Sequence, residues 1–174
     1  RHPSILRASD FIDSEHGPAL VFDFDSDAKR LDHFVRAHAA ELGLYQRLQL
    51  VRSIAEALSV AHRHRLYHRG LSPQTVLVNS DAPGRFDVLL FDWQIATRQL
   101  REAEGASTGT LHIEMLSDRL AQEAYLAPEA RTAPRPDPAK LDVFALGALA
   151  YFVLSGEPPA IDGQQLTAKC DAGP

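Results

Sequence analysis

Cysteine is almost absent: Cys170 stands alone, so no disulfide can close within the chain. That suits a reducing compartment, and the expected location is cytoplasmic. Positive charge is also in short supply, with 18 Lys and Arg against 23 Asp and Glu and a formal net charge of −5. A nucleic acid or an anionic membrane is therefore a poor direct partner. No apolar run reaches the roughly 20 residues that span a bilayer. The longest, "VFALGALAYFVLSG" at 143–156, has the length of a core helix. The start, "RHPSILRASD", has neither an initiator Met nor the apolar stretch of a secretory leader. An excerpt of a longer protein with flanking domains is expected. No internal repeat is present.

What remains reads as one globular domain. The 174 residues are 45% apolar and 24% charged, enough for a sizeable core. Between Ile5 and Phe24, two apolar bursts flank "DSEHGP", which predicts a hairpin turning at Gly17-Pro18. "DSDAKR" reads as a loop and "LDHFVRAHA" as a short helix. Leu44, Leu48, Val51, Ile54, Ala55, Leu58 and Ala61 recur at helical spacing, predicting an amphipathic helix over 44–64. "TVLV" and "FDVLLF" read as strands joined by the turn formers of "NSDAPGR". "EGASTGT" is expected to be mobile, and "HIEMLSDRLAQEA" to be a helix or an ordered loop. The prolines of "TAPRPDP" break any helix. From about Lys140 to Ser155 the chain is apolar on nearly every side, so a helix buried all round is expected, stopped by Gly156. The tail "EPPAIDGQQLTAKCDAGP" reads as loop.

Four segments then fall in a telling order. A long amphipathic helix leads into "YHRGLSPQTVLV"; a hairpin delivers "LLFDWQIA"; "AYLAPEA" follows; the apolar helix opens with "LDVFALGALAY". This order resembles the large lobe of the eukaryotic-type protein kinase superfamily, where H-R-D-x-x-x-x-N, D-F-G and A-P-E succeed one another. The resemblance covers nearly the whole chain, with "HPSIL" at the entry to the fourth strand and "ALVFDF" at the fifth strand and hinge. It implies an α+β, protein kinase-like fold in incomplete form: hinge strands plus a mainly α-helical large lobe. Residues 1–26 would be a remnant of the small lobe, and 27–174 the large lobe, truncated after the buried central helix. The wording of "HRGLSPQTVLV" and "FDWQIA" also resembles the large bacterial phage-defence kinases of the PglW type, and an Ala- and Arg-rich composition suits a GC-rich bacterium.

The resemblance assigns roles position by position. Phe22 takes the gatekeeper place, Asp23, Phe24 and Asp25 flank the adenine site, and Leu77 packs beneath the ring. Asp92 would hold Mg²⁺ against the phosphates of ATP. His68 would be a buried packing residue and Arg69 a partner for a phosphate on the activation segment. Trp93 would fill the pocket of the family's phenylalanine, and Glu129 would close the segment. Asp142 would bind the backbone of the catalytic loop; a lone acid at the head of a greasy helix needs such donors in any case.

The departures bear on chemistry. Gly70 replaces the Asp that accepts the substrate proton, Ser72 the Lys that steadies the phosphoryl group, and Thr75, at best a weak metal ligand, the metal-binding Asn. Gln94 gives up a flexible glycine. Asp81 and Asp87 could serve as substitute acids, but both belong to the hairpin. The Gly-rich loop, the third-strand Lys and its Glu partner fall outside these residues. Base assistance alone is worth about 10²–10⁴ in rate. The reading is therefore a pseudokinase, a binding or regulatory module for a protein partner with weak use of ATP and Mg²⁺. The alternative is a divergent active Ser/Thr protein kinase that transfers the γ-phosphoryl to protein hydroxyls. A helical interaction domain with chance matches is a third reading, opposed by the fourfold register. His62, His64 and His68 lack a cysteine or acid at ligand spacing, so one packed and two solvated histidines are expected rather than a metal site. Ser107, Thr108 and Thr110 lie where kinases are switched by phosphorylation.

Overall fold

The computed structural model describes residues 3–6, 8–14, 17–23, 25–82, 85–93 and 122–173. Phe24, Gln94, the "EGASTGT" stretch with Ser107, Thr108 and Thr110, and "HIEMLSDRLA" lie outside them. Strands β1 (Ala8–Ser14) and β2 (Gly17–Phe22) pair antiparallel, with Ser14 opposite Gly17. The expected hairpin is present, but Gly17 and Pro18 belong to its second strand. A two-stranded sheet is all edge, and there a proline need not donate to a ladder.

Lys29–Arg30, expected as loop, forms a short strand β3. It pairs with β4 (Val76–Ala82), which pairs in turn with β5 (Arg85–Leu90), giving an antiparallel sheet in the order β3-β4-β5. The two residues become strand because β4 offers them an open edge, a tertiary cause that local propensity does not announce. The N-terminal segment also joins this sheet: Leu90 N–H donates to Ser4 O (2.8 Å) and Leu6 N–H to Leu90 O (2.9 Å).

Helix α1 (Leu31–Ala37) buries Leu31, Phe34 and Val35 at helical spacing. Helix α2 (Leu44–Arg63) starts where the Gln46 side chain accepts the Gly43 N–H (2.7 Å), and it buries Leu50, Ile54, Ala57, Leu58 and Ala61. Its first apolar positions, Leu44 and Leu48, remain exposed. Arg47 holds the carbonyls of Ala39, Leu42 and Val153, tying the start of α2 to the end of the central helix. Helix α3 (Glu129–Thr132) is a single turn, and the prolines after it separate it from α4 (Pro138–Ser155).

Helix α4 begins with Asp137 capping Ala139 N–H and Pro138 at the first position, and ends at Gly156 with φ 83°. It is long and apolar enough to cross a membrane by length and composition, yet here it packs against α2 as a core helix. The expectation of burial all round does not hold. Asp142, Ala145, Leu149, Phe152 and Val153 face the core, whereas Val143 is 63% and Tyr151 53% exposed. Composition shows that a helix is greasy, not which side its neighbours cover. The tail is also more ordered than expected. Asp162 caps Gln165 N–H (2.8 Å) to start α5 (Gly163–Ala172), and Leu166 anchors that helix in the core.

Candidate functional site

The end of α2 is closed by Leu66 N–H to Ala61 O (3.0 Å) and Arg65 N–H to His62 O (2.9 Å), with Arg65 left-handed at φ 57°. The chain then meets the carboxylate of Asp142, which is fully buried. His68 N–H donates to its Oδ2 (2.8 Å), Arg69 N–H to its Oδ1 (2.6 Å), and His62 Nε2–H to its Oδ2 (2.8 Å). Three donors compensate a buried acid that would otherwise be costly. Arg69 sits at φ 61°, a conformation costing roughly 1–2 kcal/mol for a residue with a Cβ. Its N–H bond to Asp142 helps hold it there.

His68 is fully buried and reaches from this loop to the end of β5. Its Nε2–H donates to Phe91 O (2.8 Å), so Nε2 carries the proton. Burial pushes its pKa below the ordinary value of 6.5, against the opposing pull of the Phe91 carbonyl and the Asp142 carboxylate. Neutral His68 therefore leaves Nδ1 bare, and that buried atom has no hydrogen-bond partner. The Trp93 ring lies against the imidazole, centroids 4.8 Å apart, and its Nε1–H donates to Leu90 O (3.1 Å). Asp92, at φ 62°, is linked on either side to the two residues that His68 touches. His68 and Asp92 thus belong to one place in the fold.

Gly70, Ser72 and Thr75, which depart from the kinase pattern, follow Arg69 in the same loop. Gly70, Leu71, Ser72 and Thr75 are buried. Pro73–Thr75 is a 3₁₀ turn. The Thr75 hydroxyl accepts Ser72 N–H (3.0 Å) and donates to Ser72 O (3.1 Å). That hydroxyl, expected as a weak metal ligand, is occupied in shaping the loop. Ser72 Oγ is buried without a partner. Phe91 N–H donates to Thr75 O (3.1 Å), which ties the loop to β5.

The stretch at the end of β2 is more open. Phe22 ends β2 at 37% exposure, and Asp23 and Asp25 are exposed. Asp25 accepts Asn79 Nδ2–H (2.8 Å) and Asp27 N–H (3.0 Å). Leu77, half-buried on β4, pairs across the sheet with Arg30 and Leu89. Glu129 is exposed at the start of α3. Next to the loop, a cavity of about 90 Å³ is lined in part by Asp32, Arg36, Gln74 and Tyr125. Burial raises the Asp32 pKa, but Arg30, bonded at 2.8 and 3.1 Å, and His33 together hold it below its ordinary value. Burial also pushes the Tyr125 hydroxyl up. A groove of about 450 Å³ between α2 and α4 includes His62 but none of Gly70, Thr75 or Asp92.

His62 corrects the sequence reading. It was expected to be solvated, yet it binds Asp142. The partner lies 80 residues away, and nothing local signals it. Among the described residues no cluster of three His, Cys, Asp or Glu could hold a metal ion.

Comparison with known proteins places this geometry. A family model described as the protein kinase domain matches residues 1–172. The chain belongs to the protein kinase domain family. It is 33% identical over 195 residues to a probable kinase PglW of Streptomyces coelicolor, covering 99% of this chain and 12% of that protein. It is 30% identical over 165 residues to the serine/threonine-protein kinase PkaA of the same organism, covering 95% of this chain and 28% of that one. A crystal structure of Rad53 1–466 in complex with AMP-PNP matches with a TM-score of 0.67 and 25% identity, over 99% of this chain and 40% of that chain. The kinase-like fold expected from the motif order is thus the fold present, and the chain spans only a minor part of these relatives' lengths.

Proposed function

We propose that this protein kinase domain is a degenerate one that works as a binding and regulatory module for a protein partner. The observation that carries the reading is Gly70. The loop around it keeps its shape through Asp142, His68 and Thr75, yet the residue at its centre has no side chain to accept a proton. In this reading residues 1–26 serve as the remnant of a small lobe and 27–174 as the large lobe. Asp23, Asp25 and Leu77 border the adenine region, and Asp92 meets the magnesium of ATP. The residues present fit that group only in part, since Asp92 offers a carboxylate while the Thr75 hydroxyl is engaged within the loop. The metal ion would neutralise phosphate charge there. ATP is therefore held weakly. A bacterial setting, supported by the likeness to PglW of Streptomyces coelicolor, belongs to the same proposal, as do a role in phage defence and a cytoplasmic location in keeping with the single cysteine.

The test uses the full-length protein. Thermal shift with ATP and Mg²⁺ should give a small stabilisation that Asp92→Ala removes. Labelled ATP with Mg²⁺ or Mn²⁺ should give no incorporation. Robust incorporation that depends on Asp92 would instead favour a divergent active Ser/Thr kinase.

A further inference from the structure

We infer that Trp93 is a positioning residue whose indole N–H closes the turn after β5 and fixes Asp92 in its left-handed conformation. The reasoning starts with Leu90, which is fully buried. Its N–H is held by Ser4 O (2.8 Å), and its carbonyl accepts both Leu6 N–H (2.9 Å) and Trp93 Nε1–H (3.1 Å). Phe91 is pinned at both ends, by Thr75 O on its N–H and by His68 Nε2–H on its carbonyl. Trp93 is held twice as well, through the indole bond and through its ring against His68. Asp92 is the one residue between two fixed neighbours. With both neighbours held, its φ of 62° is kept from relaxing easily to the right-handed region.

The indole bond is specific to the residue type. Phenylalanine at this position would keep an aromatic ring beside His68 but has no donor for Leu90 O. The substitution of tryptophan in "DWQ" therefore adds a latch and does more than fill a pocket. The inference deepens the nucleotide reading and rests on it only for what Asp92 does. The latch itself needs no nucleotide.

The test is hydrogen exchange on the full-length protein, wild type against Trp93→Phe. Losing one net hydrogen bond should speed amide exchange over residues 91–93 by about two- to tenfold while leaving β4 unchanged. Equal exchange in the two proteins would sink the latch. A uniform acceleration that includes β4 and α2 would also sink it, because that marks general packing. A second measurement needs no variant to fold well. The Trp93 indole N–H, observed by NMR after selective tryptophan labelling, should exchange with solvent at least about tenfold more slowly than a free indole. Exchange at the free rate would overturn the inference. A failed ATP thermal shift would leave the latch standing, and loss of the latch would leave ATP binding to be judged separately.

Discussion

Asp142 and Asp25 are two carboxylates that the fold treats oppositely. Asp142 is fully buried and gathers donors from His62, His68 and Arg69. Asp25 is exposed and divides its carboxylate between the Asn79 amide and the Asp27 backbone. On the first side, bonds run between elements far apart in sequence and few groups face water. On the second, water can replace either partner. The difference teaches where the sequence was free to change. Gly70, Ser72 and Thr75 depart from the kinase pattern, while His68 and Asp142, which carry the loop's shape, do not. The loop's form rests on burial, on backbone donors and on the His62, His68 and Thr75 side chains, and none of these bonds needs a side chain at position 70.

The sharpest way to break the contrast is Asp142→Ala. It strands the His68 and Arg69 N–H groups and the His62 ring in a dry interior. Breaking such a buried charged cluster costs about 3–5 kcal/mol. Chemical denaturation should show that loss, and a change below about 1 kcal/mol would mean the loop is held by other contacts. Next comes Thr75→Val, which keeps shape but removes the hydroxyl that serves Ser72. Leaving the buried Ser72 N–H without an acceptor should cost about 1–3 kcal/mol, read as a fall in denaturation midpoint at constant slope.

Much of the buried side was legible beforehand because its signals are local or ordered. The three- and four-residue spacing from Leu44 to Ala61 gave α2, and a lone acid in a greasy helix required donors. The register of "HRGLSPQT", "FDWQ" and "APEA" gave the order of elements. The misses share a cause, in that tertiary neighbours decided them. Lys29–Arg30 became strand because β4 had an open edge. His62 found Asp142 across the fold. Val143 and Tyr151 are exposed because α2 covers only one side of α4. The tail helix did carry a weak local signal, Asp162 capping a turn that ends in buried Leu166, within a stretch too polar to stand out.

The third prediction sharpens the contrast through pH. The His68 pKa is depressed in the fold, so the folded state favours the neutral ring. Unfolded chains take up that proton as pH falls through about 6.5. Stability from this group is complete above that value and declines as pH drops toward the folded pKa. Between about pH 7.5 and 5, the wild type should lose more melting temperature than His68→Phe. Asp32 does not confuse the window. Its depressed pKa, below an ordinary 3.8, removes stability only in more acidic solution. Parallel curves for the two proteins would place the acid sensitivity elsewhere.

The smallest effect belongs to the exposed bond between Asn79 and Asp25. Asn79→Ala removes the amide that meets Asp25, yet both partners can turn to water, so nothing is left stranded. Exposed substitutions of this kind usually stay within about ±0.5 kcal/mol. Melting temperature should therefore hardly move, while the end of β4 keeps its pairing of Asn79 with Asp87, which runs through the backbone. A loss comparable to that of Thr75→Val would show that the Asn79 bond is shielded from solvent and orders the segment around Asp25. That segment would then be as firmly built as the loop, and the freedom to vary would have to be explained by something other than exposure.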